Sequence, residues 1–246
     1  MRAVLVVVAI VPTIGFNILS AIGLINGLTP GAISAKYPTV LTPANYAFSV
    51  WSLIYLGLLA FGIYQLLPSN IERFRNIRTL FIASCLLNVG WVYFWHREMI
   101  GICVVIIFAL AVVLLLLNLR LKTPDSLRES ILTKAPLGLY FGWVTCAALI
   151  NLMVWLTHSG AGLTDRSETA IGAAFIILAA AIALIVRMAA QNFIFPLAVA
   201  WATAAIAVKQ GANTPIIVAA AFGTVASLVI AGSIVTQLKD STSEQR

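Results

Sequence analysis

Residues 42–65 read TPANYAFSVWSLIYLGLLAFGIYQ, and this stretch decides the class of the chain. It starts as a Pro-marked loop and turns strongly apolar, with no charged residue from Tyr46 to Leu67. A helix of that length covers a hydrocarbon core of about 30 Å at about 1.5 Å per residue. Trp51 and Tyr55 stand at i and i+4, so they share one helix face. Each has a ring body and a polar tip, which suits a flat ligand in an apolar pocket better than contact with lipid. Two later stretches, Asn88–Trp95 and Tyr140–Asn151, repeat this chemistry.

The composition agrees. Hydrophobic residues make up 61% of the 246-residue chain and charged residues 9%. A soluble domain carries about a quarter charged residues, so the expected class is an all-α integral membrane protein. Alternating ten-residue strands are absent, which disfavours a barrel. The net charge of +7 is what basic cytoplasmic loops produce in a membrane protein. No basic stripe with interleaved aromatics occurs, so nucleic acid is not an expected partner. Cys85, Cys103 and Cys146 are dispersed in apolar segments without CxxC spacing, and read as packing residues.

Eight spans are expected. The first, about residues 3–25, reads as a retained helix, since its apolar run exceeds that of a signal peptide. Gly23 and Gly27 at its end have the spacing that lets membrane helices approach closely. A Pro-marked loop, 27–45, follows. The next four spans are expected at 46–67, 79–95, 100–119 and 135–156. Beyond the break at 158–165 come three Ala- and Val-rich spans at 169–186, 193–208 and 215–238, then a polar, disordered tail at 239–246. Through Thr157 the chain holds 5 Trp, 6 Tyr and 8 Phe; beyond it, 1 Trp and 4 Phe. Residues 1–157 therefore read as a five-helix binding unit and 158–238 as a close-packed scaffold of three helices. With eight spans, 11 Lys and Arg fall on the side of the termini and 4 on the other. That bias puts both termini in the cytoplasm.

No expected span has an ionisable residue near its middle, which disfavours an ion-coupled pump. Nothing resembles a paired carboxylate, a nucleophile triad, a phosphate loop or a metal site, so the chain is not expected to be an enzyme. His96 at a helix end reads as interfacial, and Trp95 and Trp155 as belt residues. Polar-tipped aromatics and amides remain. Asn88, Trp91 and Trp95 share one face, as do Tyr140, Trp143, Ala147 and Asn151. Either Asn serves equally well as an interhelical tie or as a ligand contact. Trp51, Trp91 and Trp143 lie too deep for a belt, and converging aromatics with few polar groups describe a small-molecule site.

Three stretches carry a family resemblance: PANYAFSVWSLIY at 43–55, LNVGW at 87–91, and Tyr140 with Trp143, Ala147 and Asn151. Together they resemble the motifs of the TspO/MBR family, the tryptophan-rich sensory proteins that include translocator proteins once called peripheral benzodiazepine receptors. The resemblance implies a five-helix core whose pocket opens toward the loop after the first helix. It implies Trp51 and Trp143 as pocket residues, with Asn88, Ala147 and Asn151 at other motif positions. Asn45 or Tyr46 stands near the place of the family's loop Trp, and Leu139 replaces the Pro before Tyr140. Three further helices follow, as in longer members of the group.

The expected function is that of an integral membrane receptor or binding protein for flat apolar ligands such as porphyrin, haem or sterol-like molecules, in a sensory or regulatory role. Its ligand-binding residues are Tyr46, Trp51, Tyr55, Asn88, Trp91, Tyr140, Trp143, Ala147 and Asn151. No cofactor is obligate, and porphyrin or haem enters as a ligand. Membrane lipid and a small apolar ligand are the expected partners, and the resemblance adds a homodimer. The alternative is a transporter or facilitator of small amphipathic molecules, suited to eight helices without an ionisable core.

Overall fold

The computed structural model describes residues 2–121 and 124–233, all of it helical or connecting. The helices are α1 (Arg2–Ala21), α2 (Pro30–Lys36), α3 (Val50–Tyr64), α4 (Arg78–His96), α5 (Ile100–Arg120), α6 (Leu127–Glu129), α7 (Ala135–His158), α8 (Asp165–Ala189), α9 (Ile194–Lys209) and α10 (Thr214–Gly232). A short 3-10 turn, Asn45–Ser49, leads into α3, and a π-turn, Ser130–Lys134, joins α6 to α7. Among the described residues seven stretches are long and apolar enough to cross a membrane; α9, at 16 residues, is a shorter apolar helix. The expected tail, 239–246, and the end of the last expected span lie outside the described residues.

α7 is the axis of the bundle. In the Leu127–His158 stretch, 89% of the most apolar window is buried, against 33% in α1, α8 and α10. α3, α5, α8 and α9 all pack on it, α1 lies across α3 and α4, and α10 closes against α8 and α9. Small residues admit this crowding. A methyl at Gly142 would stand 2.6 Å from the Phe195 carbonyl oxygen of α9, and one at Gly57 would stand 2.3 Å from Pro136 Cβ. At Gly142 the two backbones approach closely because no side chain intervenes, and at Gly57 the Pro136 ring seats directly on α3.

The ends of the bundle are knit by polar side chains, because interior polar groups need partners where water is absent. At one end Gln65 donates to the Ala3 carbonyl (2.9 Å) and accepts from Arg78 Nε (2.8 Å). There too Asn192 donates to Asn118 Oδ1 and to the Lys134 carbonyl, each at 2.8 Å. Its oxygen caps the start of α9 by accepting from the amides of Ile194 and Phe195. At the opposite end Lys36 pairs with Glu98 (2.7 Å), His158 meets the Pro38 carbonyl (3.2 Å), and Gln210 donates to the carbonyls of Thr39 (2.9 Å) and Thr42 (3.1 Å). The first loop, the α4–α5 turn, and the ends of α7 and α9 thus share one end.

Three expectations need correction. The Pro-marked loop contains a helix, α2, started by Thr29 Oγ1 accepting from the Ala32 amide (3.1 Å) with Pro30 in the first turn. Gly23 and Gly27 do not form a helix-contact motif: both have φ of +75° and shape the turns after α1, a conformation Gly adopts without steric cost. His96 is not interfacial but buried, with Nε2 on Ser20 Oγ (2.7 Å) and Nδ1 on Asn26 Oδ1 (2.8 Å).

The α7–α9 crossing is open to a direct test. Gly142→Ala should lower stability by about 1–3 kcal/mol, the range for overpacking against rigid backbone. Gly15→Ala, where nothing lies within 4 Å of the added methyl, should leave it unchanged or slightly raised. Thermal unfolding of the two variants in detergent checks the contrast.

Candidate functional site

α3 turns the face bearing Trp51 and Tyr55 inward, and helical spacing stacks the two rings 5.4 Å apart at 16°. Behind them α7 presents Tyr140 and Trp143, whose rings stand edge-on to Trp51 at 5.8 and 6.4 Å. Phe48, from the turn before α3, meets Trp143 edge-on at 6.0 Å. Edge-to-face and offset contacts of this kind suit the ring quadrupoles and fix the rings relative to one another.

A cavity of about 280 Å³ opens between α1, α3 and α4 beneath α2. Trp51, Tyr55, Trp91 and Phe48 supply its aromatic surface, and Asn17 and Asn45 are among its polar groups. None of its lining residues is charged. A second cavity of about 390 Å³ lies on the other side of the Gly31–Asn45 contact, under the loop and against the end of α9. Apolar walls with a few placed polar groups are the usual make-up of small-molecule sites, which run to roughly 300–1,000 Å³.

The nine residues singled out from sequence fall into distinct layers. Trp51, Tyr55 and Trp91 line the inner cavity. Tyr140 and Trp143 are buried behind Trp51. Asn88 accepts from Asn17 Nδ2 at 2.7 Å and so orients a lining residue of α1. Asn151 accepts from Trp91 Nε1 (3.1 Å) and donates to the Ala147 carbonyl (2.9 Å), so these two residues hold the Trp91 ring from behind. Tyr46 is brought to neither group; it is half exposed and edge-on to Trp201 at 5.3 Å.

Trp95 is not a belt residue. It is buried, stacks on Trp91 at 5.4 Å and 16°, and donates to the Pro30 carbonyl at 3.2 Å. Trp155 is 42% exposed. Sequence reasoning passed over Asn17 and Phe48. Asn17 carried a usable signal as an amide deep in an apolar span, while Phe48 had none beyond its nearness to Trp51.

α2 roofs both cavities and is fastened by Glu98, which sits in the α4–α5 turn with φ of +57°. Glu98 accepts from Lys36 Nζ (2.7 Å) and from the Tyr37 hydroxyl (2.8 Å). The Lys36 ammonium first, then the Tyr37 hydroxyl, hold the Glu98 carboxyl below its ordinary range. The same hydrogen bond, with burial, pushes the Tyr37 hydroxyl above the ordinary phenol range. Among the described residues there is no cluster of His, Cys, Asp and Glu fit to hold a metal.

The family model described as TSPO-like protein matches residues 3–234. No curated protein and no solved structure matches the chain.

The Glu98 contact makes the roof pH-dependent in a defined sense. A depressed carboxyl contributes stability above its ordinary range and loses it as pH falls through the depressed value. A raised phenol contributes below its ordinary range and loses it as pH rises through the raised value. Hydrogen exchange, corrected for intrinsic rates, should show α2 equally protected from about pH 5 to 9 and less protected below about pH 4. Glu98→Gln should speed exchange in α2 at neutral pH and remove the acid-side dependence.

Proposed function

The chain belongs to the TSPO-like protein family, and from that premise we propose that this multi-pass membrane protein is a non-enzymatic receptor for flat apolar ligands such as porphyrin, haem or sterol-like molecules. The observation that carries the reading is the inner cavity: an uncharged chamber faced by Trp51, Tyr55 and Trp91, with Tyr140 and Trp143 bracing Trp51. A ring system entering there stacks on indole and phenol faces, while Asn17 and Asn45 stand at its edge. Asn88, Ala147 and Asn151 serve this site at one remove, by holding Asn17 and Trp91 in place.

The reading includes eight crossings. α9 is short, but it runs from the Asn192 end of the bundle to the Gln210 end between two brief connections, 190–193 and 210–213. Two neighbours joined to it that tightly cross in the opposite sense. With eight crossings, the distribution of 11 cationic side chains against 4 supports cytoplasmic termini and a cavity mouth on the opposite face.

Saturable quenching of Trp fluorescence by protoporphyrin on the full chain in nanodiscs tests the proposal. Trp51→Ala should weaken binding about tenfold, the loss of one good stacking contact, and Trp51→Phe should restore most of it. Quenching that never saturates, or that is unchanged when Trp51→Ala is combined with Trp143→Ala, removes this chamber as the site.

A further inference from the structure

The inner and outer cavities adjoin and share part of their lining. Thr29, Gly31, Asn45 and Phe48 line both. Among these, Gly31 of α2 abuts Asn45: a methyl on Gly31 would stand 2.1 Å from Asn45 Oδ1. No hydrogen bond holds the Asn45 carboxamide among the described residues, so it can rotate out of the way.

The two chambers differ in charge. The inner chamber has none. In the outer chamber Lys209, the last residue of α9, is the one charged lining residue, and it makes no ion pair among the described residues. Three of the polar side chains there are engaged within the protein. Thr39 Oγ1 accepts from the Leu41 amide, Thr42 Oγ1 accepts from the Thr39 amide, and the Gln210 amide donates to two loop carbonyls. Lys36, the nearby ammonium of α2, is neutralised by Glu98.

We infer that the two chambers are halves of one site for an amphipathic anion, whose flat apolar body lies against Trp51, Tyr55 and Trp91 and whose acidic group meets Lys209 once Asn45 turns aside. The inference rests on the aromatic-chamber reading above and adds the class of ligand. It also gives the C-terminal helices a part in recognition, since α9 supplies the cation. The inner chamber alone falls just short of the usual size of a drug-sized site, and the joined chambers fall well within it.

The test uses the full chain in nanodiscs of zwitterionic lipid and two probes, 1-pyrenebutyrate and its methyl ester, read by energy transfer from Trp and corrected with empty nanodiscs. The acid should bind about fivefold tighter than the ester at low salt, the size of an exposed charge pair. In Lys209→Gln the two should bind alike, and high salt should shrink the preference in the unsubstituted protein. Trp51→Ala should weaken both probes together. Equal binding of acid and ester to the unsubstituted protein, or a preference that survives Lys209→Gln, overturns the inference while leaving the aromatic chamber standing. Failure of both probes to bind, or indifference of both to Trp51→Ala, overturns the chamber reading and this inference with it.

Discussion

A helix enclosed along most of its length has little lipid face to which an ill-fitting side chain can turn, and α7 is in that position up to Trp155. Each of its faces must match a neighbouring helix, and the match takes two forms. Where a neighbour presses in closely, α7 offers no side chain, as at Gly142 beneath the Phe195 backbone and at Gly138 against the Asn192 carboxamide. Where the partner is an aromatic surface, it offers flat rings, Tyr140 and Trp143, that meet Trp51 at an angle. The bundle's tightest crossings and its aromatic wall are thus two outcomes of one steric demand.

Polar groups are distributed in a way that keeps the middle of this arrangement apolar. The buried ties of Gln65, Arg78, Asn118 and Asn192 gather at one end, and those of His96 and Ser20, with the exposed Asn26 bonded to His96, at the other. Between them the amides Asn17, Asn88 and Asn151 are each satisfied by a side chain or carbonyl of the protein. In a low-dielectric interior an unpaired amide is costly, so such pairs also fix helix rotation. Rotation matters here because it decides whether Trp51 and Trp91 face the chamber or the lipid.

Much of this could be read from the residues. The positions of the seven long apolar stretches followed from uncharged runs, because hydrocarbon imposes one length and one secondary structure. The pairing of Trp51 with Tyr55 and of Trp91 with Trp95 followed from helical spacing. What spacing could not supply was depth relative to neighbours. Trp95 and His96 end their helix in sequence, yet the α2 roof and the Asn26 turn fold over them, so they are interior. α2 itself was signalled by Thr29 before Pro30, a pairing hidden among three prolines that together suggest a loop. The layered roles of Asn88 and Asn151 were half legible: the amides stood out, but their partners, Asn17 and Trp91, come from other helices.

The loop that roofs the two chambers is tied to α9 at several points along its length. The Gln210 amide grips the carbonyls of Thr39 and Thr42, the Ala44 amide donates to the Ala205 carbonyl at 2.9 Å, and Trp201 Nε1 donates to the Ala47 carbonyl at 3.0 Å. Loop and helix are therefore joined by these four hydrogen bonds. The seat of α9 in the groove of α7 thus also sets the height of the ceiling above the indoles.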